Sequence, residues 1–214
     1  MLFLRRKSLL FGGIVSKNSV EERRKEDFVE WTQNTSFYLN NDLHQYDPNS
    51  NSFTRLSTTG KRFSPRSNFG IATLGNRVYV HGGFCDSVLN DFLMLDMSDM
   101  NRLQWTEIRD SGFPREIYGH SLSPISSTQL LLVGGREWTG ISNKVRIFVA
   151  EKSEWKDEAP LPAEFVGRGG GLTHHRAVEL RDGNSAFLIC LGGFIPSFQL
   201  DPHSNHIAVF DIAY

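Results

Sequence analysis

Cysteine is scarce in this 214-residue chain: Cys85 follows a glycine pair and Cys190 sits inside an apolar run. Two thiols so placed cannot staple a small secreted framework, and they offer no cysteine metal cluster. A reducing compartment is the simpler expectation, the cytoplasm first, with the nucleus also open. Long apolar runs are missing too, and none approaches the roughly 20 residues needed to cross a bilayer as a helix. Arg5-Arg6-Lys7 before a short apolar stretch imitates a leader peptide. However, MLFL-RRK-SLLFGG aligns with IATL-GNR-VYVHGG at Ile71–Gly83, which reads as two strands and their turn. Charge of one sign is absent as well, the formal net charge being −1, so nothing asks for nucleic acid or a membrane surface. No nucleophile elbow or phosphate loop occurs. The most phosphate-like stretch, Arg168-Gly169-Gly170-Gly171, enters a strand pattern and lacks the helix N-terminus that would hold an anion. No cofactor is expected.

What the chain does have is a recurring glycine pair. Gly12-Gly13 follows SLLF, Gly82-Gly83 follows VYVH, Gly134-Gly135 follows LLLV, and Gly192-Gly193 follows FLICL, with first glycines 70, 52 and 58 residues apart. Four or five consecutive apolar or β-branched residues suit a strand covered on both faces. Two glycines then let the chain turn and let another backbone approach, since no Cβ obstructs either. One such pair is a turn, whereas four behind matched strands are an architecture. Aromatic pairs recur with them: Tyr46 and Phe53 stand seven apart, as do Phe148 and Trp155, while Leu95 and Trp105 stand ten apart around a longer hairpin.

A period of about 50 residues with a glycine pair and an aromatic pair per unit resembles the kelch-repeat family over essentially the whole chain. Within the family, VGGRE at Val133–Glu137 and SPRS at Ser64–Ser67 are similar to a stand-alone kelch protein. The resemblance implies an all-β propeller of about four four-stranded blades, in units of approximately 1–56, 66–109, 114–157 and 160–214. The second strands should end at Gly13, Gly83, Gly135 and Gly192-Gly193. Tyr46, Trp105 and Trp155 should fill the spaces between blades.

The first unit carries an insertion between its second and third strands. Ser19 and Glu22 have capping-box spacing, and Val20, Phe28 and Trp31 can share a helical face, so a short amphipathic helix within Ser19–Gln33 is expected. In the fourth unit strands are expected at Gly171–Val178, Ala186–Gly192 and His206–Ile212, with no outer strand. The termini therefore do not complement each other, and the expectation is a larger or incompletely closed propeller. Self-association through open blade edges is a corollary.

The resemblance further implies a protein-interaction module that binds a partner protein or peptide. The binding end would carry the loops between blades and those after each second strand. Carried onto this sequence, that surface takes in Lys61, Arg62, Arg66, Phe84 and Phe113, then Arg115, Arg136, Trp138, Arg168 and Phe198. Arginine and exposed aromatics are the side chains that most often carry interface energy. Arg66 and Arg115 hold a repeat position that can instead be an internal anchor. The loop charges nearly cancel, and only Lys61, Arg62 and Arg66 form a locally basic patch. Two other readings stand beside this one: a propeller fragment without autonomous function, and a metal-dependent kelch-fold enzyme. Asp201, His203 and His206 share a loop near His174-His175. Adjacent strand residues point to opposite faces, so His174 and His175 cannot easily meet one ion, and no metal site is assigned.

Overall fold

The computed structural model describes residues 2–4, 7–16, 28–30, 37–61, 64–109, 116–161, 171–182, 185–193 and 207–211. Within them the chain is all-β, with no helix. The first sheet takes β1 (Leu2–Leu4), β2 (Lys7–Ser16), β3 (Phe28–Glu30), β4 (Phe37–Asp47) and β5 (Ser52–Leu56). Its spatial order is β1-β2-β4, with β3 and β5 sharing the far edge of β4. The second runs from β6 (Thr59–Gly60) through β7 (Gly70–Leu74), β8 (Arg77–His81), β9 (Phe92–Asp96) and β10 (Gln104–Glu107). There β7 to β10 form an antiparallel blade, and β6 lies parallel to the outer strand β10. In the third unit, β11 (Ile117–Tyr118), β14 (Arg136–Glu137) and β15 (Gly140–Ile141) make a small separate sheet. The blade itself is β12 (Ser121–Pro124), β13 (Gln129–Val133), β16 (Lys144–Val149) and β17 (Glu154–Pro160). The fourth has β18 (Arg176–Asp182), β19 (Ser185–Leu191) and β20 (Ile207–Asp211). This is the four-blade arrangement of a β-propeller.

The second strands are apolar throughout because each is pressed from both sides. On β13, Leu130 and Leu132 join a cluster with Ala72, Tyr79 and Phe92 of the second unit. Leu131 and Val133 point the other way, into a cluster with Leu172, Leu188 and Cys190 of the fourth. On β8, Val78 and Val80 pack toward Leu9, Phe11 and Leu43 of the first unit, and Tyr79 packs toward the third. Alternation survives, but both faces are interior. Three clusters thus join the four units in series.

The aromatic pairs are cross-strand neighbours. Tyr46 lies opposite Phe53, Leu95 opposite Trp105, and Phe148 opposite Trp155. A spacing of seven places two residues opposite each other when four residues turn between the strands, as at 48–51 and 150–153; the turns close on Asn51 and Ser153, both at positive φ. Residues 97–103 make the hairpin of the second unit longer. Phe148 sits 5.2 Å from Trp155 and, edge to face, 4.7 Å from Phe92 across the interface. Each such contact adds about 0.5–1.5 kcal/mol beyond its area.

Three expectations change. The second strand of the first unit does not stop at Gly13: β2 passes through the glycine pair with a register shift between Phe11 and Gly13 and continues to Ser16 against Phe37. The eleven-residue β4 offers it an edge that long. Phe28–Glu30 is not helical; it forms β3 against Tyr38–Asn40, because that edge of β4 lies beyond the reach of β5, which pairs only from Leu43 onward. The remainder of the expected helix, 19–27 and 31–33, lies outside the described residues. In the fourth unit the first strand begins at Arg176, not Gly171, since residues 171–175 make the link between blades. Among the described residues β20 pairs with β19 alone.

Candidate partner-binding face

All four glycine pairs adopt one conformation, with φ of +44 and +105 at Gly12-Gly13, +56 and +102 at Gly82-Gly83, +59 and +101 at Gly134-Gly135, and +68 and +107 at Gly192-Gly193. It is a left-handed turn that L side chains rarely adopt. Its purpose is contact with the next unit. Gly83 N–H donates to Ile117 O, and Gly135 N–H donates to Leu172 O, each at 2.8 Å. The loops leading into the first strands are hooked together in turn. Gly119 N–H donates to Asn68 O at 2.7 Å, and His174 N–H to Gly119 O at 2.6 Å. Asn68, Gly119 and His174 hold one repeat position, and all have positive φ, of 54, 68 and 58. A non-glycine residue kept in this region marks stored strain.

These hooked loops bring side chains into a row. Phe84, just beyond the second glycine pair, lies 5.8 Å from Tyr118 between ring centroids, and Tyr118 lies 5.9 Å from His174. Arg136 is directly opposite Tyr118 in the β11–β14 pairing, and no ion pair holds it among the described residues. Its neighbour Glu137 is occupied by Arg146 at 3.0 Å. The hairpin from β14 to β15 raises Trp138 until it is 93% exposed. Partial burial, then the positive charges of Arg136 and Arg176, hold the His174 pKa below its usual value. The row is therefore aromatic and cationic, with a neutral imidazole. Behind it a cavity of about 460 Å³ is lined by all four units, among them Phe11, Ile14, Phe69, His120 and Arg176.

The interior histidines are structural. His81 Nδ1 meets His120 Nε2 at 3.2 Å, and Ser121 Oγ meets His175 Nε2 at 2.8 Å. Burial, with Arg66 and Arg146 nearby, lowers His81 to about 3. Burial, then His81, His175 and Arg146, takes His120 well below its usual value, and burial, then Arg176 and His174, lowers His175 to about 4. Among the described residues no three His, Cys, Asp or Glu side chains gather to hold a metal. His174 is exposed and His175 buried; Asp201, His203 and His206 lie outside the described residues.

The profile of the KLHDC2/KLHL20/DRC7 Kelch-repeats domain matches residues 1–213. The chain belongs to the kelch-repeat family. It is 34% identical to kelch domain-containing protein 2 from Bos taurus over 107 residues, which are 49% of this chain and 26% of the bovine protein. Against the serine/threonine-protein phosphatase BSL2 of Arabidopsis thaliana it is 30% identical over 145 residues, covering 61% of this chain and 14% of the phosphatase. Against Adagio-like protein 3 of Oryza sativa subsp. japonica it is 29% identical over 120 residues, 52% of this chain and 19% of that protein. The chain thus spans about a quarter or less of the length of these relatives. Kelch repeats are generally protein-interaction propellers rather than enzymes.

Of the surface expected from the kelch repeat, the structure brings Phe84, Arg136 and Trp138 to one region. Lys61 lies elsewhere, beside the outer strand of the second blade, where it pairs with Glu107 at 3.3 Å. Arg66 is corrected outright: it is 0% exposed. Its guanidinium grips both Asp91 oxygens at 2.5 and 2.7 Å and donates to Ser64 O and Gly82 O. That is the internal anchor, tying the lead-in of the second blade to its glycine pair. Arg62, Phe113, Arg115, Arg168 and Phe198 lie outside the described residues. Tyr118, His174 and Arg176 join the site without having been singled out for it. Counting back from each first strand to Asn68, Gly119 and His174 would have shown that they share a place.

Proposed function

We propose that this kelch chain is a binding module, not an enzyme, and that it takes a partner protein or peptide on the face built by Phe84, Tyr118, Arg136, Trp138 and His174. The observation that carries this reading is the row of rings at 5.8 and 5.9 Å beside an arginine without an ion-pair partner and a tryptophan that is 93% exposed. A tryptophan left in water has no packing reason to be there, and Trp, Tyr and Arg are the residues in which interface energy concentrates. The hooked backbone supports it, since a face whose loops are fixed loses little entropy on binding. Cys85 and Cys190 are both free, which fits a reducing compartment, the cytoplasm first.

The test is comparative affinity capture with the 214-residue chain, followed by titration of whatever it retains. Trp138→Ala and Arg136→Glu should each weaken retention at least about tenfold, the loss of one interface anchor, with the melting midpoint unchanged. Retention of the same proteins at the same affinity by the double variant would overturn the placement of the face.

A further inference from the structure

The interfaces between blades are directional. Each internal blade packs a forward face on its successor and a rear face on its predecessor. Forward positions are those of Ala72, Leu74 and Tyr79 in the second unit and Ile125, Leu131 and Val133 in the third. Rear positions are those of Val80, Leu95 and Trp105 in the second and Leu132 and Phe148 in the third.

The exposed apolar side chains of the first and fourth units occupy these same positions. Leu10 is 46% exposed, while its counterparts Val80 and Leu132 are both at 0%. Phe53 is 61% exposed, while its counterpart Trp105 is at 3%. On the fourth unit Leu180 is 53% exposed against 8% and 1% for Leu74 and Ile125. Val178 is 53% exposed against 1% and 3% for Ala72 and Ser123. Val209, 49% exposed, stands opposite Ile189 on that same side of the blade. The first unit therefore shows a bare rear face and the fourth a bare forward face. Such patches mark interaction sites.

We propose that a second copy of this chain covers them, the forward face of the fourth unit in each copy packing on the rear face of the first unit in the other. A second copy carries both halves of the contact, in the pairing already made three times within the chain. The contact is heterologous, and such contacts form a ring when the rotation closes. Two four-unit arcs make a ring of eight, within the four to eight blades that propellers adopt, and it leaves neither face bare. The contact is separate from the row around Tyr118.

Sedimentation velocity across a dilution series of the 214-residue chain tests this. The expected species has twice the 24.3 kDa chain mass and dissociates on dilution. Leu10→Asp and Leu180→Asp should each raise the dissociation midpoint at least about tenfold, the effect of losing a central apolar contact. Mixing the two variants should recover part of the affinity, because one intact contact then forms. Trp138→Ala should leave assembly unchanged, so failure here and failure of the proposed partner face can be told apart. Both residues are half exposed in the single chain, and circular dichroism confirms that the variants remain folded; Val209→Asp replaces either one that does not. A wild-type monomer at every concentration overturns the proposal. So does a ladder of sizes beyond the dimer, or unchanged dimerisation of Leu10→Asp.

Discussion

Gly75 and Gly134 share almost the same backbone, with φ of +56 and +59, but differ in what surrounds them. Gly75 turns the hairpin between β7 and β8, and a Cβ there would meet nothing within 4 Å. At Gly134 a Cβ would strike the carbonyl of Leu172, and His175 Cε1 lies 3.3 Å away. Gly75→Ala should then cost only the left-handed conformation, about 1 kcal/mol. Gly134→Ala carries the same term and also pushes away the carbonyl that accepts the Gly135 N–H at 2.8 Å. An unmet buried amide adds about 1–3 kcal/mol, for a total of roughly 3 kcal/mol. For a domain of this size that separates the melting midpoints, about 3 °C lower for Gly75→Ala and about 10 °C lower for Gly134→Ala. Differential scanning fluorimetry with a urea titration measures both. Equal losses would show that the glycine pair serves the turn alone and that close approach of the next blade is not its reason. Gly134→Val and Gly135→Val, with larger side chains in the same positions, should each exceed about 1 kcal/mol.

Acid should destabilise the propeller. The folded pKa values of His81 and His175, about 3 and about 4, lie below the usual 6.5, so the unfolded chain binds protons first. Their contribution is full above about pH 6.5 and is lost as pH falls toward those folded values, roughly 2 kcal/mol for each by pH 5. His175→Phe, the residue held at that repeat position by Phe69, should flatten the pH dependence of urea unfolding, and an unaltered slope would count against this account. The Arg66–Asp91 pair should be costly to break from one side. Asp91→Ala leaves a guanidinium that is 0% exposed without its counter-charge, a loss of about 3–5 kcal/mol. Chemical denaturation reads it, and a loss under about 1 kcal/mol would mean that Arg66 finds other partners.

The glycine pairs, the apolar runs before them and the aromatic spacing are local signals, and each survives in the sequence because every blade needs the same turn and the same strand covered on both faces. From those alone the propeller, its second strands and the opposition of Phe148 and Trp155 were legible. Contacts that depend on another unit were not. Arg66 is basic and sits in a loop, and only its meeting with Asp91 shows that it is interior. Phe28 and Val29 suit a helix face as well as a strand until β4 offers them an edge. The row of Phe84, Tyr118 and His174 joins loops more than thirty residues apart in sequence, through backbone bonds that leave no trace in composition. Leu10 and Val80 make the point in one comparison. They are similar side chains at the same repeat position, and one is 46% exposed while the other is at 0%. What separates them is whether a neighbouring blade stands against that face, and that is a property of the assembled sheets alone.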